Sequence, residues 1–170
     1  MLKPRRALLA FLLCQAIFLF AAGRAPARPA QADITGFWVL GRAHWVVQIS
    51  PCGDGYCGRL VGLSKSAKPD AARVDDRNPD PARRARPLCG LPLLGGFTPA
   101  PSDPGTWRGG WIYDPDNGAT YASRMWLAGP DTLKVRGYIL VPWLGRNETL
   151  TRETGPANRC GAGAPPGLRG

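Results

Sequence analysis

The sequence predicts an all-β fold, a small antiparallel up-and-down β-barrel of about eight strands. Residues 107–141 carry the strongest signal, because three strand-like segments there are joined by short turns at 115–118 and 129–131. The other segments with strand character are also short and mostly follow one another, without a convincing long helix between them. Consecutive strands joined by tight turns favour an up-and-down barrel over other all-β folds.

The predicted strands are rich in β-branched and aromatic residues and are bounded by residues typical of turns. Asp54 and Gly55 are predicted to centre the hairpin between the second and third strands. Asn117 and Gly118 are predicted to form the hairpin pair between the fifth and sixth strands, since this pair accepts positive φ at little cost. In chain order, the predicted strands are 34–41, 44–50, 56–63, 91–97, 107–114, 118–128, 132–141 and 143–152.

A long connection at 64–90 separates the third and fourth predicted strands. It is rich in Pro, Asp, Arg and Ala and has no apolar periodicity, and connections of this length are often functional. A short helical turn is predicted inside it, with Asp80 as the cap and Pro81 at the first helical position. The four aspartates between residues 70 and 80 match no EF-hand spacing, so we expect nearby arginines to pair with them and expect no metal site.

The N-terminus has the features of an export signal. A basic segment at 3–6 precedes an uncharged apolar run at 8–22, and a small-x-small pattern ends at Ala32. About fifteen helical residues span roughly 22 Å, which is short of the roughly 30 Å hydrocarbon core of a bilayer. The sequence therefore predicts cleavage after Ala32, with a cut after Gly23 or a lipid-modified Cys14 as alternatives.

Removal of the predicted signal peptide changes the net charge of the chain and defines its predicted organisation. Residues 1–32 carry five basic residues and no acid, so the remainder has 17 basic and 12 acidic residues, a net charge of +5. The basic residues form no stripe with interleaved aromatics, so we expect no nucleic-acid partner. The predicted organisation is a cleaved signal peptide with spacer at 1–32, one barrel domain at 33–152 and a Gly/Pro-rich tail at 153–170.

Four cysteines remain after the signal is removed, and an even number in an exported chain predicts disulfides. Cys52 and Cys57 flank a predicted hairpin turn and would face each other as a close pair, which favours a Cys52–Cys57 bridge. Cys89 and Cys160 then remain for the second bridge, and a Cys57–Cys89 bridge is the alternative. With no Cys-x-x-Cys motif and a single histidine, His44, no zinc site is expected.

Catalytic residues are not evident in the sequence. His44 has no nucleophile motif near it, and Asp114 and Asp116 are residues of a turn. We therefore expect no catalytic residue and no cofactor, and we predict that the protein is not an enzyme.

Alternation along 132–141 places Arg136 and Tyr138 on one face of a strand, and Trp126 occupies a comparable face of the preceding strand. If this face is inside the barrel, the three residues could line its mouth and anchor a polar ligand head. If the face is outside, they are solvated surface residues.

Two resemblances extend these inferences. Gly36, Trp38 and Arg152 stand where the calycin superfamily, which includes the lipocalins, has a Gly-x-Trp in the first strand and an arginine in the last. The resemblance implies a calycin/lipocalin-like barrel in which the Trp38 indole crosses the closed end and Arg152 packs over it. This arrangement is structural, and a guanidinium over an indole contributes roughly 0.5–2 kcal/mol.

The chain more specifically resembles the exported bacterial domain-of-unknown-function family 2147 over residues 34–152. This resemblance implies a small calycin-like barrel with no established activity. Leu150 departs from the family pattern, which usually has a tryptophan there, and Cys160 is additional. The matching motifs are Cys52-Gly-Asp-Gly-Tyr-Cys57-Gly58, Asn78-Pro-Asp-Pro-Ala-Arg83, Arg86-Pro-Leu-Cys89-Gly90-Leu, Tyr113-Asp-Pro-x-x-Gly118-x-x-Tyr121 and Leu133-Lys-Val-Arg-Gly-Tyr138.

Taken together, these features predict an exported, non-enzymatic small barrel that binds a small, partly apolar or amphipathic ligand, since barrel mouths are common ligand sites. The alternative is a structural or envelope-interaction protein that contacts a protein partner through the long loop 64–90. Neither hypothesis involves a transmembrane segment after cleavage.

Overall fold

The structure is a computed structural model that describes residues 32–41, 44–63, 73–154 and 160. Most of the predicted signal peptide, with the alternative cut after Gly23 and with Cys14, lies outside the described residues. The same holds for residues 64–72 of the long loop and for most of the C-terminal tail.

Eight antiparallel strands form a closed barrel, so the predicted fold class is confirmed. Each strand pairs with the next, and the last pairs with the first through Trp38 and Arg152, which leaves no open sheet edge. Two 3-10 helices are present in the described residues, Pro81–Arg83 and Pro142–Leu144. The strands are β1 (Gly36–Leu40), β2 (Trp45–Cys52), β3 (Gly55–Leu63), β4 (Pro92–Pro99), β5 (Thr106–Asp114), β6 (Ala119–Gly129), β7 (Thr132–Tyr138) and β8 (Arg146–Arg152).

Large apolar side chains from the strands fill the barrel interior. Glycines make room for them where two large groups would otherwise collide, as at Gly110, where a Cβ would lie 2.5 Å from the Phe97 ring. The buried core therefore depends on small residues as much as on large ones. Its members include Trp38, Val47, Ile49, Leu60, Leu94, Phe97, Trp107, Met125, Leu133, Val135 and Leu150.

Residues 73–91 form a small lobe between β3 and β4. A β-bridge between Val74 and Pro87 closes the lobe, and the Asp80 side chain accepts a hydrogen bond from the backbone of Ala82 at the start of the 3-10 helix, as the sequence predicts. Leu88 and Leu91 anchor the lobe in the barrel core. The described part of the long loop is thus folded onto the barrel.

The boundary between β7 and β8 differs from the sequence prediction. The predicted strands 132–141 and 143–152 are too long, because β7 ends at Tyr138 and β8 begins at Arg146. Proline cannot donate a ladder hydrogen bond, and Leu140 adopts a left-handed φ of 67°, which is incompatible with an extended strand. Residues 139–145 consequently leave the sheet as a loop.

The turn of the β2–β3 hairpin lies one residue earlier than the sequence predicts. Cys52 pairs with Gly55, so the turn is formed by Gly53 and Asp54, and Gly53 takes the positive φ of 56°. Cys57 is therefore diagonal to Cys52 on the same face instead of directly opposite. The two cysteines are still bridged, with Cα atoms 5.8 Å apart, because diagonal neighbours in a twisted hairpin come within disulfide reach.

The second disulfide joins Cys89 in the lobe to Cys160, also with Cα atoms 5.8 Å apart. The structure thus contains the two pairings that the sequence favours and not the alternative Cys57–Cys89 bridge. The β5–β6 turn is longer than a two-residue hairpin, because Asp114 pairs with Ala119, and only Gly118 in this turn takes a positive φ.

Candidate functional site

One end of the barrel is closed by Trp38 and Arg152. The Arg152 guanidinium carbon lies 4.2 Å from the centre of the fully buried Trp38 ring. The Trp38 Nε1 donates a hydrogen bond of 2.9 Å to the carbonyl of Ile34, and Arg152 Nη1 donates one of 2.9 Å to the carbonyl of Thr35. These bonds fix the segment before β1 across this end, which we call the capped end.

The barrel interior next to the capped end is solidly packed. Six of its inward-facing side chains have at most 2% of their surface exposed, and the half-buried Tyr56 packs edge-on against Trp107 at the same end. This half of the barrel is therefore part of the hydrophobic core. The six residues are Trp38, Phe97, Trp107, Met125, Leu133 and Leu150.

The opposite end, which we call the open end, has a different interior. Strand register places Arg146 beside Gly137, and a Cβ at Gly137 would lie 2.7 Å from Ile112 Cδ1, so these positions face inward. Tyr121 pairs with Ile112, and Glu148 pairs with the buried Val135. Of the inward-facing side chains on β5, β6 and β8 here, Ile112, Tyr121 and Glu148 are half-buried and Arg146 is exposed, whereas Trp45 on β2 is buried. The open end therefore combines an apolar wall with polar and charged groups.

Tyr121 brings a hydrogen-bond donor to this end. Its hydroxyl oxygen accepts a hydrogen bond of 2.9 Å from Asn117 Nδ2, so its own hydrogen remains available to donate. Arg146, at the rim on the first residue of β8, adds a permanent positive charge. The two groups can recognise the polar head of a ligand whose apolar part rests against Ile112.

A buried carboxylate joins the lobe to the barrel at the same end. Asp75 is fully buried, and its oxygens accept hydrogen bonds from the Tyr113 hydroxyl (2.6 Å), from Asn78 Nδ2 (2.7 Å) and from Arg86, whose Nη2 lies at 2.7 Å. These donors surround a carboxylate that would be very unfavourable if it were buried without partners. The cluster stabilises the lobe and leaves Asp75 no free oxygen for a cation.

The protonation states of this cluster are fixed near neutral pH. Burial raises the pKa of Asp75, but hydrogen bonds from Tyr113, Asn78 and Arg86 outweigh burial and hold that pKa below its ordinary value. Burial, together with the adjacent Asp75 carboxylate, raises the pKa of Tyr113 above its ordinary value. At neutral pH, Asp75 is therefore ionised and Tyr113 is neutral.

The structure places the ligand residues predicted from sequence on the outer face of the barrel. Arg136, Tyr138 and Trp126 alternate with the inward-facing Leu133 and Met125 and their neighbours, so they cannot line the interior of the mouth. The face bearing Arg136 is thus the outer one, because Leu133 and Val135 on the other face of β7 are buried.

Arg136 contacts the loop that follows its strand. It donates hydrogen bonds to the carbonyls of Pro142 and Trp143 and to Asn147 Oδ1, the last two at 3.0 and 2.7 Å. Arg136 therefore anchors the 139–145 loop to the outer face of β7 and β8.

The sequence does not predict Tyr121 or Arg146 as ligand residues, and Tyr121 appears only at the end of one of the family motifs. The usable signal was the alternation along β8, where an inward Leu150 also directs Glu148 and Arg146 inward. The ion pairs of Asp75 with Arg86 and of Asp80 with Arg83 agree with the expected pairing of loop aspartates with nearby arginines, but the contact of Asp75 with Tyr113 had no local signal, because Tyr113 is 38 residues away in the chain.

A comparison with protein-family models finds a match over residues 34–152. The matching model describes an uncharacterized protein conserved in bacteria, domain-of-unknown-function family 2147. The chain belongs to this family. A search of curated proteins found no match.

Among solved structures, the barrel is similar to protein HP1028 from Helicobacter pylori, which is described as belonging to the lipocalin family. The TM-score is 0.63 at 19% sequence identity, and the alignment covers 73% of this chain and 85% of HP1028. At this level of identity, the similarity establishes the lipocalin-like fold of this family member.

Two further observations concern compartment and metal binding. The described ranges contain no helix long and apolar enough to cross a membrane. They also contain no group of three or more His, Cys, Asp or Glu side chains that could hold a metal ion. The two disulfides are typical of an oxidising compartment.

Proposed function

We propose that this protein is an exported, non-enzymatic binding protein that takes a small, partly apolar ligand at the open end of its barrel. The observation that carries the proposal is the partly exposed wall that β5, β6 and β8 form at the open end. There Ile112, Tyr121 and Glu148 face inward but are only half-buried, and Arg146 is exposed. Lipocalin-like barrels have room for ligands at their mouths, and this fold supports such a role.

The chemistry of the open end defines the ligand class. Ile112 offers an apolar surface, the Tyr121 hydroxyl offers a donor, and Arg146 offers a cation at the rim. A short amphipathic molecule suits this combination when its acidic or strongly hydrogen-bond-accepting head lies at the rim by Arg146, away from the inward-facing Glu148. The filled half below limits the ligand to a shallow pose, so only part of an extended chain would be enclosed.

Export to the periplasm or the exterior is part of the same proposal. It is supported by the basic and apolar N-terminal sequence and by the two disulfides. The intact mass of protein recovered from a bacterial envelope tests it, with a chain that begins after Ala32 as the expected result. A mass that retains residues 1–22 would contradict cleavage.

The ligand proposal is tested by native mass spectrometry of freshly purified protein, followed by calorimetric titration with decanoate and with the uncharged decanol. A co-purified amphipathic molecule, and tighter binding of decanoate than of decanol, are the expected results. Arg146→Ala should abolish the preference for decanoate, because it removes the cation at the rim.

Arg108→Ala is the matched control, because Arg108 is an exposed arginine on β5 that pairs with Asp103, away from the open end. This variant should keep the preference. If the purified protein is empty and neither probe binds, the ligand-binding proposal is wrong.

The competing hypothesis, an envelope-interaction protein acting through loop 64–90, has less support from the described residues. The charged groups of the lobe largely bind one another or the barrel: Asp75 binds Arg86, Arg83 binds Asp80, and Arg73 binds Asp116 on the β5–β6 turn. The lobe therefore presents few uncompensated charges to a partner.

A further inference from the structure

The loop between β7 and β8 exposes an unusual concentration of apolar side chains. Four large hydrophobic residues within six positions are 64–90% exposed, and they stand at the open end without covering one another. Exposed apolar clusters of this kind mark sites of contact with another surface. We call these residues, Ile139, Leu140, Trp143 and Leu144, the apolar tip.

The apolar tip is held in place by the strand beneath it. Arg136 donates hydrogen bonds to the carbonyls of Pro142 and Trp143, and Gly145 packs so closely that a Cβ there would lie 2.4 Å from the Gly137 carbonyl oxygen. Leu140 keeps a left-handed φ of 67°, which is unfavourable for leucine. These contacts hold the apolar side chains outward instead of letting them fold onto the barrel.

The outer face next to the apolar tip is positively charged. The outward-facing residues of β6, β7 and β8 include Arg124, Lys134 and Arg136 and no acidic residue. Arg124 lies directly across from Arg136, an arrangement in which two like charges repel unless an anion lies between or above them.

Arg124 is the clearest unsatisfied group on this face. Its guanidinium carbon lies 5.4 Å from the centre of the Trp126 ring, and its Nε is buried without a hydrogen-bond partner. No carboxylate in the described ranges forms an ion pair with it. The positive charge of Arg124 is therefore not neutralised by a carboxylate of the described ranges, and an external anion can pair with it.

We infer that the apolar tip and the cationic face together dock the protein on an anionic phospholipid surface. The exposed Trp143 and its apolar neighbours would enter the interfacial region, where tryptophan is enriched. Arg124 and its neighbours would then meet lipid phosphates, which attract basic side chains. Charge favours lipid over a second copy of the chain, because the same cationic face on a partner would be repelled.

Vesicle co-sedimentation of the exported protein tests this inference. Vesicles made of equal parts phosphatidylcholine and phosphatidylglycerol should bind the wild type, and pure phosphatidylcholine vesicles should bind it distinctly more weakly. The double variant Leu140→Asn, Trp143→Ser should lose about tenfold or more in affinity, because two exposed apolar side chains no longer enter the interface. Asparagine is chosen because it tolerates the left-handed backbone at position 140.

A second variant tests the charge independently of the loop. Arg124→Gln should weaken binding to the anionic vesicles about fivefold, the effect of one basic residue at a charged membrane surface, and should leave binding to neutral vesicles unchanged. Val74→Asn and Arg83→Gln are matched controls in the lobe, and both should bind like the wild type. Because all variants share the same N-terminus, any contribution from that segment cancels.

Three outcomes would overturn the inference. Equal binding to anionic and neutral vesicles removes the role of charge, and equal binding by the double variant removes the role of the apolar tip. The third outcome is that the protein does not bind vesicles and contacts protein instead. Either dimerisation that the double variant abolishes, or a crosslink from position 143 to another protein, would then assign the surface to a protein contact. Arg146→Ala should not alter vesicle binding to the extent that Arg124→Gln does, which separates this surface from the proposed ligand site.

Discussion

Replacing Trp38 with alanine measures how far the barrel depends on its capped end. The ring is fully buried, donates a 2.9 Å hydrogen bond to the Ile34 carbonyl and lies under the Arg152 guanidinium. Loss of a buried tryptophan typically costs about 3–5 kcal/mol. The unpaired Ile34 carbonyl and the lost ring contact of Arg152 place the expected loss of unfolding free energy toward the upper end of that range.

Urea unfolding followed by circular dichroism gives the required free energies. With a slope of about 2 kcal/mol per molar urea, the midpoint should fall by about 2 M. Trp143→Ala is the control, because Trp143 is 76% exposed, and its loss should change stability by less than about 0.5 kcal/mol. A loss below about 1 kcal/mol for Trp38→Ala would refute the conclusion that this ring belongs to the core.

Two further predictions concern the lobe and its covalent anchor. Asp75→Asn should lower stability by about 3 kcal/mol or more at neutral pH, because it removes one partner of a buried charged cluster. Since the fold lowers the pKa of Asp75, the difference from wild type should shrink as pH falls below about 4. A pH-independent difference in thermal melts would count against the ionised carboxylate. Removing the Cys89–Cys160 bridge by a double alanine substitution should lower the free energy of unfolding by about 4 kcal/mol, against about 2 kcal/mol for the Cys52–Cys57 bridge. The difference arises because the longer loop regains more chain entropy in the unfolded state. Equal losses in denaturant melts would contradict this ranking.

Local sequence patterns were sufficient to predict the strand count, the barrel closure and the 3-10 turn at Pro81. Turn residues and β-branched runs act over a few positions, so they are visible without tertiary information. The same patterns failed where one residue decides the geometry. The shift of the β2–β3 turn to Gly53 and Asp54 moves the partner of each residue from Val47 to Cys52 by two positions, although the sequence Gly-Asp-Gly suits either register.

The assignment of inner and outer faces was the harder problem. Both faces of β7 carry apolar or aromatic residues, with Leu133 and Val135 on one and Tyr138 on the other, so alternation alone did not decide which was buried. Only the packing of Met125 and Leu150 against Val135 and Leu133 shows that the face bearing Leu133 and Val135 is the buried one. Contacts such as that between Asp75 and Tyr113 join distant segments and carried no local sequence signal.

The alternation of β8 also explains how one end of a small barrel can support two separate proposals. Arg146 and Glu148 face the interior, whereas Asn147 between them faces outward and accepts a hydrogen bond from Arg136. A substitution at Arg146 therefore alters the proposed ligand site, and one at Arg124 alters the proposed lipid surface, although the two faces are separated only by the thickness of the sheet. Since a one-residue step changes the face, each proposal can fail without the other, and variants on alternate positions distinguish them.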